Sequence, residues 1–308
     1  KKYDPKLKCV ITLTEKTALE QARQADEDIK NGTYKGMLHG IPYGLKDIVA
    51  TKGVPTTWGS KIYKDQVFNY DATVVEKLNA AGAVLVAKLS VGELAMDDTW
   101  FGGQTKNPWD LKTGSSGSSA GSAAAVSAGL VPFAIGTETY GSIVSPASTC
   151  GVTGLRPTFG RVSRYGVMTL NWTMDKVGPI ARSSEDCAIV LSYINGADNK
   201  DLSGINAPFN YDASVKTNSK LKIGYLKKDF DKSYPFHTQD SMTLKTLKVM
   251  GYELIPIDLP QFPDLSFLID VEAAAAFDEL TRTNKDDQMV LQAKDAWPNI
   301  FRRARSEE

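Results

Sequence analysis

Apolar and polar residues alternate along this chain in two periods that follow one another repeatedly. From Thr14 to Lys30 the apolar positions recur at helical spacing, and Asn31-Gly32 stops the run. Ile41 to Val49 is rich in β-formers but is interrupted by Pro42 and Gly44, which predicts a strand or hairpin with Lys46 near one end. Asp71 is placed to cap a helix over DATVVEKLNAA that ends at Gly82, and AVLVA (83–87) then reads as a buried strand. The same order returns with a helix over 122–128 and an extended apolar run over 131–135. Ser183 opens a helix to Ile194, with Asp186 as a capping-box partner. Leu221–Leu226 reads as a strand, Gln239–Met250 as a helix and Tyr252–Leu259 as a strand. Helix and apolar strand in alternation predict an α/β layered fold with a mixed, mostly parallel sheet. No internal repeat is visible. The Asn-, Asp- and Ser-rich stretch over 195–220 reads as a surface excursion and does not define a domain boundary.

The chain has 308 residues, 42% of them hydrophobic, enough for one large core. Lys+Arg and Asp+Glu both number 36, so there is no global basic footprint for nucleic acid. Lys227-Lys228 and Arg302-Arg303 read as solvated faces or helix ends. Cys9, Cys150 and Cys187 are too few and too scattered for a disulfide framework, and no His lies at metal-ligand spacing. No stretch is long or apolar enough to cross a membrane. A cytoplasmic location is the expectation, with periplasmic and secreted locations left open.

The candidate chemistry is concentrated in two turns and one lysine. Five serines fall between Thr113 and Ser122, in a glycine-rich stretch, and Ser142 follows in TETYGSIVSP. The stretch lacks the Gly-Lys-Ser/Thr ending of a phosphate-binding loop and the G-x-G-x-x-G dinucleotide fingerprint. Gly117 to Gly121 does match G-x-S-x-G, with Ser119 as nucleophile, but an elbow needs an apolar strand before it, and KNPWDLKT precedes this one. Small residues let backbone N–H groups approach a ligand, and a helix N-terminus and the turn around Ser142 supply the donors that an oxyanion requires. Lys46 stands in an apolar frame beside Asp47. A lysine acts as a base only when neutral, which burial can bring about at a cost on the order of 4 kcal/mol. Spacing alone does not single it out.

Five blocks, in order, resemble the amidase signature family of serine hydrolases: GIPYGLKD from Gly40; DATVVEKLNAAGAVLVAKLSVGELA; FGGQTKNPWDLKTGSSGSSAGSAAAVSAG; GTETYGSIVSPASTCGVTGLRPTFGRVSRYGV; and DKVGPIARS. The resemblance covers about half the chain strongly. It implies a central sheet covered by helices on both faces, in a single domain over 1–308 that is incomplete at its C-terminal end, with completeness at the N-terminal end left open. It implies a Ser-cisSer-Lys triad of Lys46, Ser118 and Ser142, with a cis Gly117–Ser118 peptide and a supporting Ser119. The backbone N–H groups of Thr139, Tyr140, Gly141 and Ser142 match the oxyanion hole. Metal and cofactor are not implied.

Many members carry Asp-Thr-Gly-Gly-Ser-Ile-Arg around the nucleophile, where this chain has Glu138, Tyr140 and Val144. That form resembles the branch of stand-alone amidases. The implied reaction is hydrolysis of a small-molecule or peptide amide through an acyl-enzyme, with neither nucleic acid nor membrane as partner and a homodimer left open. The alternatives are the glutamine-hydrolysing subunit of a tRNA-dependent amidotransferase, and a non-catalytic binding member. Tyr140 either narrows the acyl pocket or packs against its loop. The helical run from Val271 onward is expected in the pocket wall.

Overall fold

The computed structural model describes residues 1–212, 214 and 221–305. Two compact units form, one from Lys1–Tyr211 with Ser266–Glu308 and a smaller one from Asp212–Leu265.

The larger unit is built on a six-stranded sheet. Its strands are β1 (Val10–Leu13), β2 (Pro42–Lys46), β3 (Val84–Leu89), β4 (Phe133–Glu138), β5 (Thr153–Gly154) and β6 (Lys176–Ala181), in the order β1-β3-β2-β4-β6-β5. β2 lies parallel to both β3 and β4, while β1 and β6 run antiparallel to their neighbours, so four of the six strands point one way. Pro42 and Gly44 do not break β2. Pro42 is its first residue, a position where the missing N–H matters least. Gly44 lets Leu89 of the neighbouring strand pack where a side chain would stand: a Cβ there would lie 2.2 Å from Leu89 Cδ1.

The alternation of side chains along the strands, with a register irregularity in β3 between Leu85 and Ala87, divides the interior in two. Tyr43, Leu45, Leu85, Phe133 and Ile135 face a core shared with the helices Thr73–Ala80 (α1) and Ser184–Ile194 (α2). Ala87, Leu89, Ala134 and Ile180 face the opposite core, against Ala123 to Val126 of the helix Ala120–Ser127 (α3). Helices therefore cover both faces. The C-terminal segment of this unit adds Phe277, Leu280, Trp297 and Phe301 to the first core. Cys9, Cys150 and Cys187 are buried free thiols that fill space in these cores.

Local signals mostly fall where the sequence places them. Ser183 caps α2, its hydroxyl oxygen 3.0 Å from the Asp186 N–H and 2.7 Å from the Asp186 carboxylate. Asp71 does not cap α1. Ala72 occupies the cap position, and the Asp71 carboxylate accepts a 2.7 Å bond from the Lys52 N–H instead, fastening a loop. The strand read over 131–135 runs on to Glu138, because its polar end is paired with β6 inside the sheet. The excursion over 195–220 lies partly outside the described residues.

The smaller unit holds a parallel pair, Lys222–Tyr225 with Glu253–Pro256, around the helix His237–Val249. Among the described residues of the whole chain, no helix is long and apolar enough to cross a membrane.

Candidate active site

Lys46 ends β2, at the centre of the sheet, and is wholly buried. Its Nζ lies 2.8 Å from Ser118 Oγ, 2.8 Å from Thr137 Oγ1 and 3.3 Å from the Thr137 carbonyl. Burial pushes its ammonium down to about 7; the carboxylates of Asp175 and Glu138 oppose that shift. The next residue, Asp47, faces away into a separate buried pair. Its Oδ1 is 3.1 Å from Lys88 Nζ, and its Oδ2 accepts bonds from the Thr57 N–H (2.9 Å) and hydroxyl (2.5 Å).

The serine-rich loop arrives from the other side. Gly117–Ser118 is a cis peptide and Ser118 is buried. Gly117 carries no side chain because none would fit: a Cβ there would lie 1.7 Å from the Asp97 carbonyl oxygen. Ser119 then sits at the start of α3 with its hydroxyl wholly occupied, donating to the Thr137 carbonyl (3.0 Å) and accepting from the Thr137 N–H (3.2 Å). A buried hydroxyl tied down in this way is not an elbow nucleophile, and the residues before it form a short hairpin and loop rather than a core strand. Its N–H bonds the Ser142 carbonyl at 3.1 Å, which brings the two serine turns together.

The turn from Thr139 to Ser142 leaves the end of β4. Glu138, 1% exposed, reaches over it, and one carboxylate oxygen accepts the N–H groups of Ile143 (2.8 Å) and Val144 (2.9 Å). This carboxylate at the start of the helix Val144–Cys150 (α4) both closes the turn and meets the helix's unpaired donors. Thr139 is held by a 2.5 Å bond from its hydroxyl to Asp175. Gly141 adopts φ +106°, a left-handed conformation that favours glycine. Among the described residues, no protein acceptor takes the N–H groups of Tyr140, Gly141 or Ser142. Ser142 is part-exposed. Tyr140 is 76% exposed.

One cavity adjoins this region and a second lies beyond it. The first, of about 470 Å³, is lined by Thr137, Thr139, Asp175 and the segment 164–172. The other, of about 560 Å³, lies across Gly166 to Thr169 and is walled by Trp58, Tyr63, Phe68, Tyr70 and Phe277. Ala276, Phe277, Glu279 and Leu280 of the C-terminal run line this second cavity. Glu138, Thr137 and Asp175 are site residues that the sequence reading does not assign. The one visible signal among them is the acid of the TETYGSIV turn, four positions before the serine. No group of three His, Cys, Asp or Glu side chains among the described residues could hold a metal ion.

The amidase family model matches residues 1–308. The chain is 44% identical over 268 residues to one subunit of the Glutamyl-tRNA(Gln) amidotransferase of Coxiella burnetii, an alignment covering 84% of this chain and 55% of that one. It therefore spans about half the length of this curated relative. The native peptide amidase of Stenotrophomonas maltophilia matches the fold with a TM-score of 0.83 and 29% identity, over 99% of this chain and 69% of that one. An amidase family protein of Bacillus anthracis matches at 0.86 with 30% identity, over 98% of this chain and 65% of that one. The chain belongs to the amidase signature family.

Proposed function

We propose that this chain carries the catalytic centre of a serine amidohydrolase, with Ser142 as nucleophile, Ser118 as proton bridge and Lys46 as base. The observation that carries the reading is the 2.8 Å contact of Lys46 Nζ with Ser118 Oγ inside a fully buried pocket, where the amine gives up its charge near pH 7. Neutral Lys46 accepts the Ser118 hydroxyl proton as Ser118 accepts that of Ser142. The Ser142 oxygen bonds to the amide carbonyl carbon, and the oxyanion is met by the N–H groups of the 139–142 turn. The C–N bond then breaks, and the amine leaves with the proton returned through Ser118. Water attacks the resulting ester by the same relay and releases the acid.

On the substrate, the 44% identity to an amidotransferase component supports glutamine as the amide donor, with the chain working beside partner subunits. This evidence outweighs the stand-alone branch suggested by the TETYGSIV turn. One observation favours a second reading, a stand-alone enzyme for bulkier amides: a 560 Å³ cavity walled by Trp58, Tyr63, Phe68, Tyr70 and Phe277 lies across the 166–169 segment from the cavity that Thr137 and Thr139 line. Ammonia release from glutamine, compared with release from a panel of peptide and aryl amides, separates the two. Turnover of glutamine alone supports the first reading, and turnover confined to bulky amides supports the second. Turnover of neither, with no covalent label on Ser142, would leave a binding role.

A further inference from the structure

We propose that the turn Gly92–Asp97 is a positioning element for Ser118, and that Trp297 of the C-terminal helix holds that turn in place. The inference rests on the reading of Ser118 as proton bridge.

Two contacts join the turn to the serine loop. The Gly92 N–H bonds the Ser118 carbonyl at 3.3 Å, and the Asp97 carbonyl lies directly against Gly117. The turn thus touches the backbone of the bridging serine and of the residue before it. Its own conformation is costly. Leu94, Ala95 and Asp97 all have positive φ (49°, 65° and 52°), and none is glycine. Left-handed conformation at such residues persists only where the surroundings enforce it.

Those surroundings come from distant segments. Trp297, buried in the core, donates its indole N–H to the Leu94 carbonyl at 3.0 Å. The Val290 N–H bonds Glu93 Oε2 at 2.6 Å, and the Leu94 N–H bonds the Trp58 carbonyl at 2.9 Å. A continuous path of bonds therefore runs from the helix Trp297–Arg305, through Leu94 and Gly92, to Ser118. Among the described residues the turn makes no direct bond to Lys46 or Ser142; it meets the serine loop at Gly117 and Ser118, and through the Trp58 N–H, 3.0 Å from the Asp47 carbonyl, it also reaches the chain beside Lys46.

The test uses side chains that stay clear of the reacting groups. The Asp97 side chain is exposed, and its carbonyl is the part that meets Gly117. Asp97→Val places a β-branched residue at positive φ and forces the turn to change, whereas Asp97→Gly permits the same φ. Trp297→Phe deletes the indole donor and keeps an aromatic ring in the core. Ile300→Val, on the same helix, is the control for packing loss. Each full-length variant, first checked for folding by circular dichroism, is treated with a fluorophosphonate. In that reaction Ser142 Oγ bonds to phosphorus, fluoride leaves, and the Ser142 proton passes to Ser118 as Ser118 gives its own to Lys46. We expect Asp97→Val and Trp297→Phe to label at least tenfold more slowly, with kcat falling in step and KM within twofold. Asp97→Gly and Ile300→Val should label at the wild-type rate. Folded Asp97→Val or Trp297→Phe labelling at the wild-type rate would overturn the inference and leave the mechanism standing. So would an equal loss in Asp97→Gly. A wild-type protein that takes no label at Ser142 would remove the mechanism and the inference together.

Discussion

Asp47, the residue after Lys46, and Lys88 on β3 face each other at 3.1 Å with both side chains fully buried. Burial pushes the Asp47 carboxyl up and the Lys88 ammonium down, and each partner opposes the other's shift. The Lys88 ammonium also bonds the Val49 carbonyl (2.9 Å) and the Thr56 hydroxyl (2.6 Å), so the pair ties the chain after β2 to β3. Removing one member leaves an uncompensated buried charge, which costs about 3–5 kcal/mol. Lys88→Ala should therefore lower the thermal midpoint by roughly 5–8 °C, the shift expected for a loss of this size in a chain of this length. Differential scanning calorimetry measures it, and a midpoint within about 2 °C of wild type would count against the pair.

Lys46 makes a pH prediction with two signs. As a base it works only when neutral, so kcat/KM should rise with pH through an acid limb near the value to which burial lowers it, about 7. Its effect on stability follows from the same depression. The folded state resists protonation, so the unfolded chain binds more protons between the folded value and the unfolded value of about 10.4. Folding stability at this site is thus least at and below pH 7 and increases as pH rises toward about 10. Lys46→Met should abolish turnover and should gain thermal midpoint relative to wild type at about pH 6, a gain that shrinks by about pH 9. Melting curves at both pH values check this; a constant offset would argue against a depressed lysine.

Glu138 organises the turn that carries Ser142 through two charge-assisted bonds to Ile143 and Val144. Such bonds contribute about 1.5–3 kcal/mol each where a charged group accepts. Glu138→Ala should lower kcat by about 10²-fold, on the scale of losing an oxyanion donor. Glu138→Gln keeps a side-chain oxygen and should lose less. Steady-state kinetics on the preferred amide would show equal losses if the acceptor did not matter.

Ser183 provides a contrast far from the chemistry. Its hydroxyl caps α2, and Ser183→Ala should cost about 1 kcal/mol. Urea unfolding should report that loss while kcat stays unchanged. A fall in kcat would show that α2 is coupled to the site.

How much of this is legible in the sequence varies by the kind of interaction. Helical periodicity places the helix Glu15–Lys30 and α2 closely, because each exposes one polar face. The helix α3 is visible as a small-residue run, but its start at Ala120 is not, because serines and glycines carry little periodic signal. Lys46 is marked by resemblance and not by spacing, since its environment is supplied by Thr137, 91 residues on. Asp71 carries a capping signal that a tertiary bond to Lys52 overrides. Trp297 and Glu93 have no local signature at all, since their partners lie 203 and 197 residues away. What depends on neighbours in sequence can be read; what depends on chain crossings needs coordinates.

The central claim is that a buried neutral lysine activates Ser142 through Ser118. The most direct measurement is the rate of fluorophosphonate labelling against pH for the wild-type protein, Lys46→Ala and Ser118→Ala, with the modified residue located by peptide mass. The account predicts label on Ser142 alone, a wild-type rate that rises through about pH 7, and a loss of at least about 10²-fold in both variants with no remaining pH dependence near neutrality. Label on another residue, or a Lys46→Ala rate that keeps the wild-type pH profile, would contradict it.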